Sequence, residues 1–249
     1  MAAPPPRPGH GLLRCPVCRL HLTAAAGALA CSNRHSFDLT CDGYLNLLRN
    51  GRYRPAKGGD SREQLRRRAA FLEAGHFDAV ASLIASQVRN ADAKPADKCW
   101  RVLDAGCGTG YHLARVAYTL EAPVAGLGLD ISKYAAHHAA RRRPELAFAV
   151  ADLWGVWPVQ DAVVDLVINI FAPKNFAEAS RVLRPGGRLV VAYPGPNHLI
   201  ELYPRFGLIR QRPRRRPDGT QCTPYRPVGN RHRDRFLCGH IRRFGLACA

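Results

Sequence analysis

The sequence predicts an α/β protein built on a doubly wound parallel sheet, preceded by a small zinc-ribbon-like module. Three observations carry this. Between residues 99 and 203, short apolar runs alternate with segments of helical period, as parallel strands joined by crossover helices do. The first of those runs ends in the glycine-rich turn Gly106-Cys-Gly-Thr-Gly110. Upstream, Cys15, Cys18, Cys31 and His35 form two tight pairs twelve residues apart, a spacing suited to a tetrahedral Zn²⁺.

Length and composition set the bounds. A chain of 249 residues with 47% apolar content suits one medium domain and a small accessory module. No stretch approaches the roughly 20 apolar residues that cross a bilayer, so no membrane partner is expected. Residues 1–14 are rich in Pro and Ala and lack an apolar signal core, which predicts a disordered leader and, by default, a cytoplasmic protein. Nine cysteines, an odd number without a secretion signal, argue against a disulfide framework. The formal charge of +18 favours a polyanionic partner, but it is unevenly spread. Residues 205–249 hold twelve Arg, two Asp and neither Lys nor Glu, so they contribute +10 and leave +8 for the rest.

Taken in order, residues 15–48 form the cysteine-bearing module, with β-like runs at 29–31 and 36–39. Residues 49–98 are a basic loop and helical linker. Arg49, Arg52, Arg54 and Lys57 mark the loop, and Asp60-Ser61 can cap a helix over 62–74 whose apolar positions are Leu65, Ala69 and Leu72. A second helix follows over 78–89. From 99 to 203 the spacing predicts strands at 100–105, 124–131, 146–150, 163–171 and 188–193, with helices at 111–120, 132–142 and 175–183. Residues 204–249 are an aperiodic Arg/Pro-rich tail.

The candidate cofactor site lies on the first strand–turn–helix. Asp104-Ala-Gly106-Cys-Gly108-Thr109-Gly110 lets the backbone turn sharply and approach a ligand without Cβ atoms in the way. Asp130 ends the second strand, where a carboxylate can accept from ribose hydroxyls, and Asp152 follows the third, placed to meet an adenine edge. The pattern D-x-G-x-G-x-G is similar to the first motif of class I (Rossmann-like) methyltransferases and differs from the dinucleotide G-x-G-x-x-G. In the module, Cys15, Cys18, Cys31 and His35 give a closed four-ligand set, structural rather than catalytic, whose metal supplies much of the folding energy. Cys41, Cys99 and Cys107 read as buried apolar side chains.

With these motifs in hand, the chain resembles the 23S ribosomal RNA guanine-N1 methyltransferases over residues 13–203. The group includes macrolide-resistance enzymes of the tylosin and mycinamicin type. The matching stretches are Cys15-Pro-Val-Cys18, His35-Ser-Phe-Asp38, Asp42 to Leu48, Gly59-Asp-Ser61, Phe71 to His76, Asp104 to Gly110, Phe171-Ala-Pro173, Leu183 to Gly187 and Pro194 to Leu199. The segment Asn169 to Asn175 is closer to the resistance-type members. The resemblance implies S-adenosyl-L-methionine as cofactor, structural Zn²⁺ on the four ligands, and 23S rRNA as partner, and it leaves a homodimer open. It further implies that Gly108, Thr109, Phe77 (where the family often has Tyr) and His198 contact the cofactor. Asn169, at the exit of the fourth strand, is the substrate-side candidate, with a structural amide as the alternative. The implied reaction is methylation of guanine N1 in an unpaired or flipped-out hairpin nucleotide. The module and the basic loop, with Arg66–Arg68, would form the RNA surface.

The family pattern fades near Tyr203. Two readings of the tail stand: a basic RNA-binding extension, or a frameshift product that replaces the last sheet strands. The abrupt loss of pattern and the scattered Cys222, Cys238 and Cys248 favour the second. A small-molecule methyltransferase, or a truncated relative that only binds cofactor or RNA, are the competing functions.

Overall fold

Hydrophobic contact begins earlier than the Pro-rich composition suggests. The computed structural model describes residues 4–48, 60–89, 95, 97–194, 200–202 and 205. Pro8–Leu12 form a 3₁₀ turn in which Gly9, His10 and Leu12 are buried. A Cβ on Gly9 would fall 2.0 Å from the Gly126 carbonyl oxygen, so only glycine permits this approach. The Arg7 guanidinium donates to the carbonyls of Leu146 at 2.7 Å and Asp42 at 3.0 Å. The expected disordered leader over 1–14 is therefore corrected: from residue 4 it is placed, and from Arg7 it is part of the core. Proline and alanine removed the periodic signal without removing the apolar anchors Leu12 and Leu13.

In the module, β1 (Thr23–Ala25), β2 (Ala28–Ala30) and β3 (Ser36–Asp38) form a three-stranded antiparallel sheet. Gly27, at φ +68°, makes the tight β1–β2 turn. β4 (Tyr44–Asn46) then leaves the module and pairs in parallel with a strand of the large sheet, Tyr44 opposite Phe148. The last strand before residue 48 thus belongs to the large sheet.

Ser61 caps α1 (Arg62–Glu73) through a reciprocal box: the Gln64 amide donates to Ser61 Oγ at 3.2 Å, and the Ser61 amide to Gln64 Oε1 at 2.9 Å. α2 (Asp78–Arg89) follows. The remaining elements are β5 (Trp100–Ala105), α3 (Tyr111–Thr119), β6 (Val124–Asp130), α4 (Lys133–Arg142), β7 (Ala147–Val150), β8 (Val164–Ile170), α5 (Phe176–Val182) and β9 (Leu183–Ala192). β9 starts at Leu183, earlier than its apolar run, across a register irregularity opposite Val164 and Leu166.

The large sheet has the order β4-β7-β6-β5-β8-β9, every pair parallel. The chain moves outward from β5 to β7 and returns on the other side of β5 as β8. That reversal opens a crevice at the carboxyl ends of the strands. One core cluster joins Leu103, Leu127, Val164 and Val167 of the sheet to Leu13, Leu22 and Leu29 of the module. All named elements lie in one compact unit. Among the described residues, no helix is long and apolar enough to cross a membrane. The expectations for the basic loop at 49–57, His198 and the tail beyond 205 fall outside the described residues.

Candidate cofactor cleft and metal centre

The two knuckles of the module bring four donors together. Cys15 Sγ lies 3.6 Å from His35 Nδ1, Cys31 Sγ 3.4 Å from the same nitrogen, and Cys18 Sγ 3.5 Å from Cys31 Sγ. All four donor atoms fall within 4.8 Å of one another. A tetrahedron of ~2.3 Å Zn–S bonds has donor edges of about 3.8 Å, so the set fits Zn²⁺ with no open position for water. Burial raises the Cys31 thiol. Hydrogen bonds from the backbone of His35 and from Cys18 and His35 side chains outweigh it, bringing Cys31 down to about 6. Arg19 and Arg34 follow the first and precede the last ligand pair's end in left-handed conformations, φ +65° and +62°, and both side chains are exposed. Of the cysteines read as apolar, Cys107 is buried, Cys99 intermediate, and Cys41 exposed, because it sits on the turn before β4.

At the carboxyl ends of β5 to β8 lies a cleft of about 200 Å³. Four predicted residues line it together: Gly106, Gly108, Asp130 and Asp152. Their placement follows from the strand ends on which they sit. The Asp130 carboxylate accepts from the Gly108 amide at 2.9 Å and from the Ser132 amide at 2.8 Å, which fixes the glycine turn to the next strand. A Cβ on Gly108 (φ +51°) would find no atom within 4 Å, so bare backbone faces open space there. On Gly106 (φ +96°) it would lie 2.2 Å from Ala172 Cβ. The turn is thus pressed against the β8 exit on one side and open to a ligand on the other.

Three other predicted residues support the turn from below. Asp104 is 1% exposed and its Oδ2 has no partner among the described residues. Burial, and then the charge of Asp130, push its carboxyl up to about 8, so it is largely neutral at pH 7. Thr109 is buried, and Gly110, at φ +74°, caps α3 where a side chain would press on Phe148 and Ala139. Phe77 is not on the cleft wall. Its ring packs edge-on against Phe171, 5.9 Å between centroids, and Phe171 is on the wall.

Of the two roles open to Asn169, the structure shows hydrogen bonds of the structural kind. The residue is 4% exposed, and its amide donates to the Ala105 carbonyl at 2.8 Å and the Pro173 carbonyl at 2.9 Å. It ties the end of β5 to the loop after β8 with both N–H groups used, while its buried Oδ1 has no partner among the described residues. Among the wall residues that the sequence reading did not assign to the cleft are Asp60, Arg68 and Trp154. A signal existed for Arg68, which stands three residues after Leu65 and four before Leu72, on the flank of the buried stripe of α1.

The donor set of the cleft suits S-adenosylmethionine: a glycine turn open to a ligand, a carboxylate at the end of β6, and acidic walls for a sulfonium. Residues 102–187 match the family described as "Methyltransferase domain", and residues 13–50 that described as "RlmA, N-terminal". The chain is 43% identical over 201 residues to the 23S rRNA (guanine(748)-N(1))-methyltransferase of Streptomyces fradiae, covering 80% of this chain and 69% of that one. It is 43% identical over 215 residues to a candidate 23S rRNA (guanine-N(1)-)-methyltransferase of Micromonospora griseorubida, covering 81% and 72%. To a protein of Bacillus subtilis given the same candidate activity it is 35% identical over 210 residues, covering 82% and 71%.

Proposed function

Because the chain belongs to the family of 23S rRNA (guanine-N1)-methyltransferases, we propose that it methylates N1 of a guanine in a hairpin loop of 23S rRNA. The observation that carries this reading is the pairing, in one core, of a zinc ribbon with a methyltransferase cleft. Likeness to relatives named for that reaction extends over four fifths of the chain.

S-adenosylmethionine, when bound, supplies a methyl group already activated on a positive sulfur. The chain's residues then have positioning to do, which can be worth several kcal/mol. The amides of Gly108 and Ser132 hold Asp130 rigid, leaving its remaining lone pairs toward the cleft for hydroxyl donors. Asn169 locks the β8 exit, so that Phe171 and Pro173 form a fixed wall. Guanine N1 carries a proton in its neutral form, and the proton leaves to a carboxylate or water as the bond forms. A paired guanine hides N1, so the target is unpaired or flipped. The exposed Arg19 and Arg34 of the zinc knuckles support contact with RNA phosphates.

The test is methyl transfer from labelled cofactor to unmodified ribosomal RNA, with the modified base mapped. Label on N1 of a single hairpin guanine is expected. No label on RNA, from protein that measurably binds S-adenosylhomocysteine, refutes the proposal. Macrolide resistance extends the same reading, supported by the segment Asn169 to Asn175. Expression in a sensitive host lacking the modification should raise the inhibitory macrolide concentration, and full methylation with unchanged susceptibility refutes that extension.

A further inference from the structure

Three consecutive arginines on α1 do different things. Arg66 and Arg67 turn outward and pair with Glu63, at 3.0 and 2.7 Å. Arg68 turns to the cleft and pairs with Asp60 at 2.9 Å, and both residues line its wall. Arg68 is the one cation among the described residues lining the cleft, against the carboxylates of Asp60, Asp130 and Asp152. Two of these acids are engaged by backbone amides. Asp130 accepts from Gly108 and Ser132, and Asp152 from Trp154 at 2.9 Å. Asp60 is held beside them, its carbonyl accepting from the Ser132 hydroxyl at 3.2 Å.

S-adenosylmethionine brings more than a sulfonium and a nucleoside. Its amino-acid end carries a carboxylate and an ammonium. An acidic wall repels that carboxylate unless a cation meets it, and a guanidinium does so with two parallel hydrogen bonds. An ion pair on the wall matches a zwitterion group for group, with no net charge to compensate. We propose that Arg68 and Asp60 recognise the amino-acid end of the methyl donor, Arg68 taking its carboxylate and Asp60 its ammonium. The inference rests on the methyltransferase reading. It takes Arg68 out of the RNA-facing set to which the sequence assigned all three arginines.

The test compares two ligands by titration calorimetry on full-length, zinc-loaded protein. S-adenosylhomocysteine has the amino-acid end. 5′-Methylthioadenosine keeps the nucleoside and thioether and lacks it. Arg68→Gln should weaken S-adenosylhomocysteine about ten- to a hundredfold, the range for a lost charge-assisted contact, and leave methylthioadenosine within about twofold. Asp60→Asn should move the same ligand in the same direction, and Arg68→Lys should recover part of the loss. Equal weakening of both ligands would mean that Arg68 merely shapes the cleft, and it overturns the proposal, as does unchanged binding of both. Wild-type protein that binds neither ligand overturns the methyltransferase reading itself, a result distinct from an unaffected variant.

Discussion

Replacing Asp104 with asparagine should alter how stability depends on pH. The carboxyl sits at the end of β5, 1% exposed, with one oxygen unpartnered among the described residues. Burial and the neighbouring Asp130 charge hold it at about 8, whereas an aspartate in the unfolded chain ionises near about 3.9. Between those values the folded protein keeps a proton that the unfolded chain has released. Stability therefore falls as pH rises through this window, by about 1.4 kcal/mol per unit. From pH 5 to pH 7 that amounts to about 3 kcal/mol, or a fall in Tm on the order of 10 °C for a chain of this size. Asparagine copies the shape of the neutral acid and has no proton to lose. Asp104→Asn should melt a few degrees above the wild type near pH 5, where about 1.5 kcal/mol separates them, and far above it near pH 8. His10 and His112, each pushed down to about 4 with burial as the main cause, act with the opposite sign. They stay neutral in the fold while the unfolded chain takes up protons, so their contribution grows as pH climbs from about 4 to about 6.5. Both proteins contain them, so they cancel in the difference. Calorimetric melts of the two zinc-loaded proteins in buffers from pH 5 to 8 make the comparison, and parallel Tm curves would refute the reasoning.

Three further outcomes follow from the geometry. Cys31→Ser removes one thiolate from the metal set, and since Cys31 shares a core cluster with Leu103 and Leu127, the whole unit should lose at least about 3 kcal/mol along with its zinc. A dye assay for released zinc and a single melting transition check this, and a variant that retains its metal contradicts it. Gly106→Ala puts a Cβ 2.2 Å from that of Ala172 in a left-handed backbone, so S-adenosylhomocysteine affinity should fall more than about tenfold with a loss of about 1–3 kcal/mol in stability. Undiminished binding by calorimetry would count against the close packing of the turn. Asn169→Ala deletes two buried hydrogen bonds and should cost about 2–3 kcal/mol in urea unfolding, with cofactor affinity falling too. A loss of RNA affinity alone would instead support the base-contacting role.

The sheet was legible where burial is symmetric. β5, β7 and β8 are covered on both faces, so they read as unbroken apolar runs, and their observed bounds differ from expectation by a residue or so. The helices were legible through caps as well as period, Ser61 and Ser132 standing at the starts of α1 and α4. β4 was not. Three residues, Tyr44-Leu-Asn46, are too short to show a period, and their strand character comes from the open edge of β7. β1 escaped for a related reason: Thr23–Ala25 are all exposed, and pairing with β2 alone defines them. The N-terminal turn was hidden by its prolines, which erase periodicity while leaving Leu12 and Leu13 free to pack.

The site divides along the same physical line. Residues on strand ends could be placed from sequence, because a parallel sheet sends every carboxyl end to one edge. Gly106, Gly108, Asp130 and Asp152 meet there for that reason alone. Residues that reach the cleft by docking of another element could not be placed so directly. The run Arg66-Arg67-Arg68 reads as one basic patch in composition, but a helix separates its members by 100° each. Leu65, Ala69 and Leu72 fix which face of α1 is inward. Arg66 and Arg67 then point away, toward Glu63, and Arg68 falls at the border of the buried stripe. What the period could not supply was the surface against which that border lies. Once α1 packs near α4 and the Asp60 carbonyl meets Ser132, the border becomes the wall beside Asp130, and a charge that in composition looked like part of an RNA patch lines the cleft while its side chain stays 56% exposed.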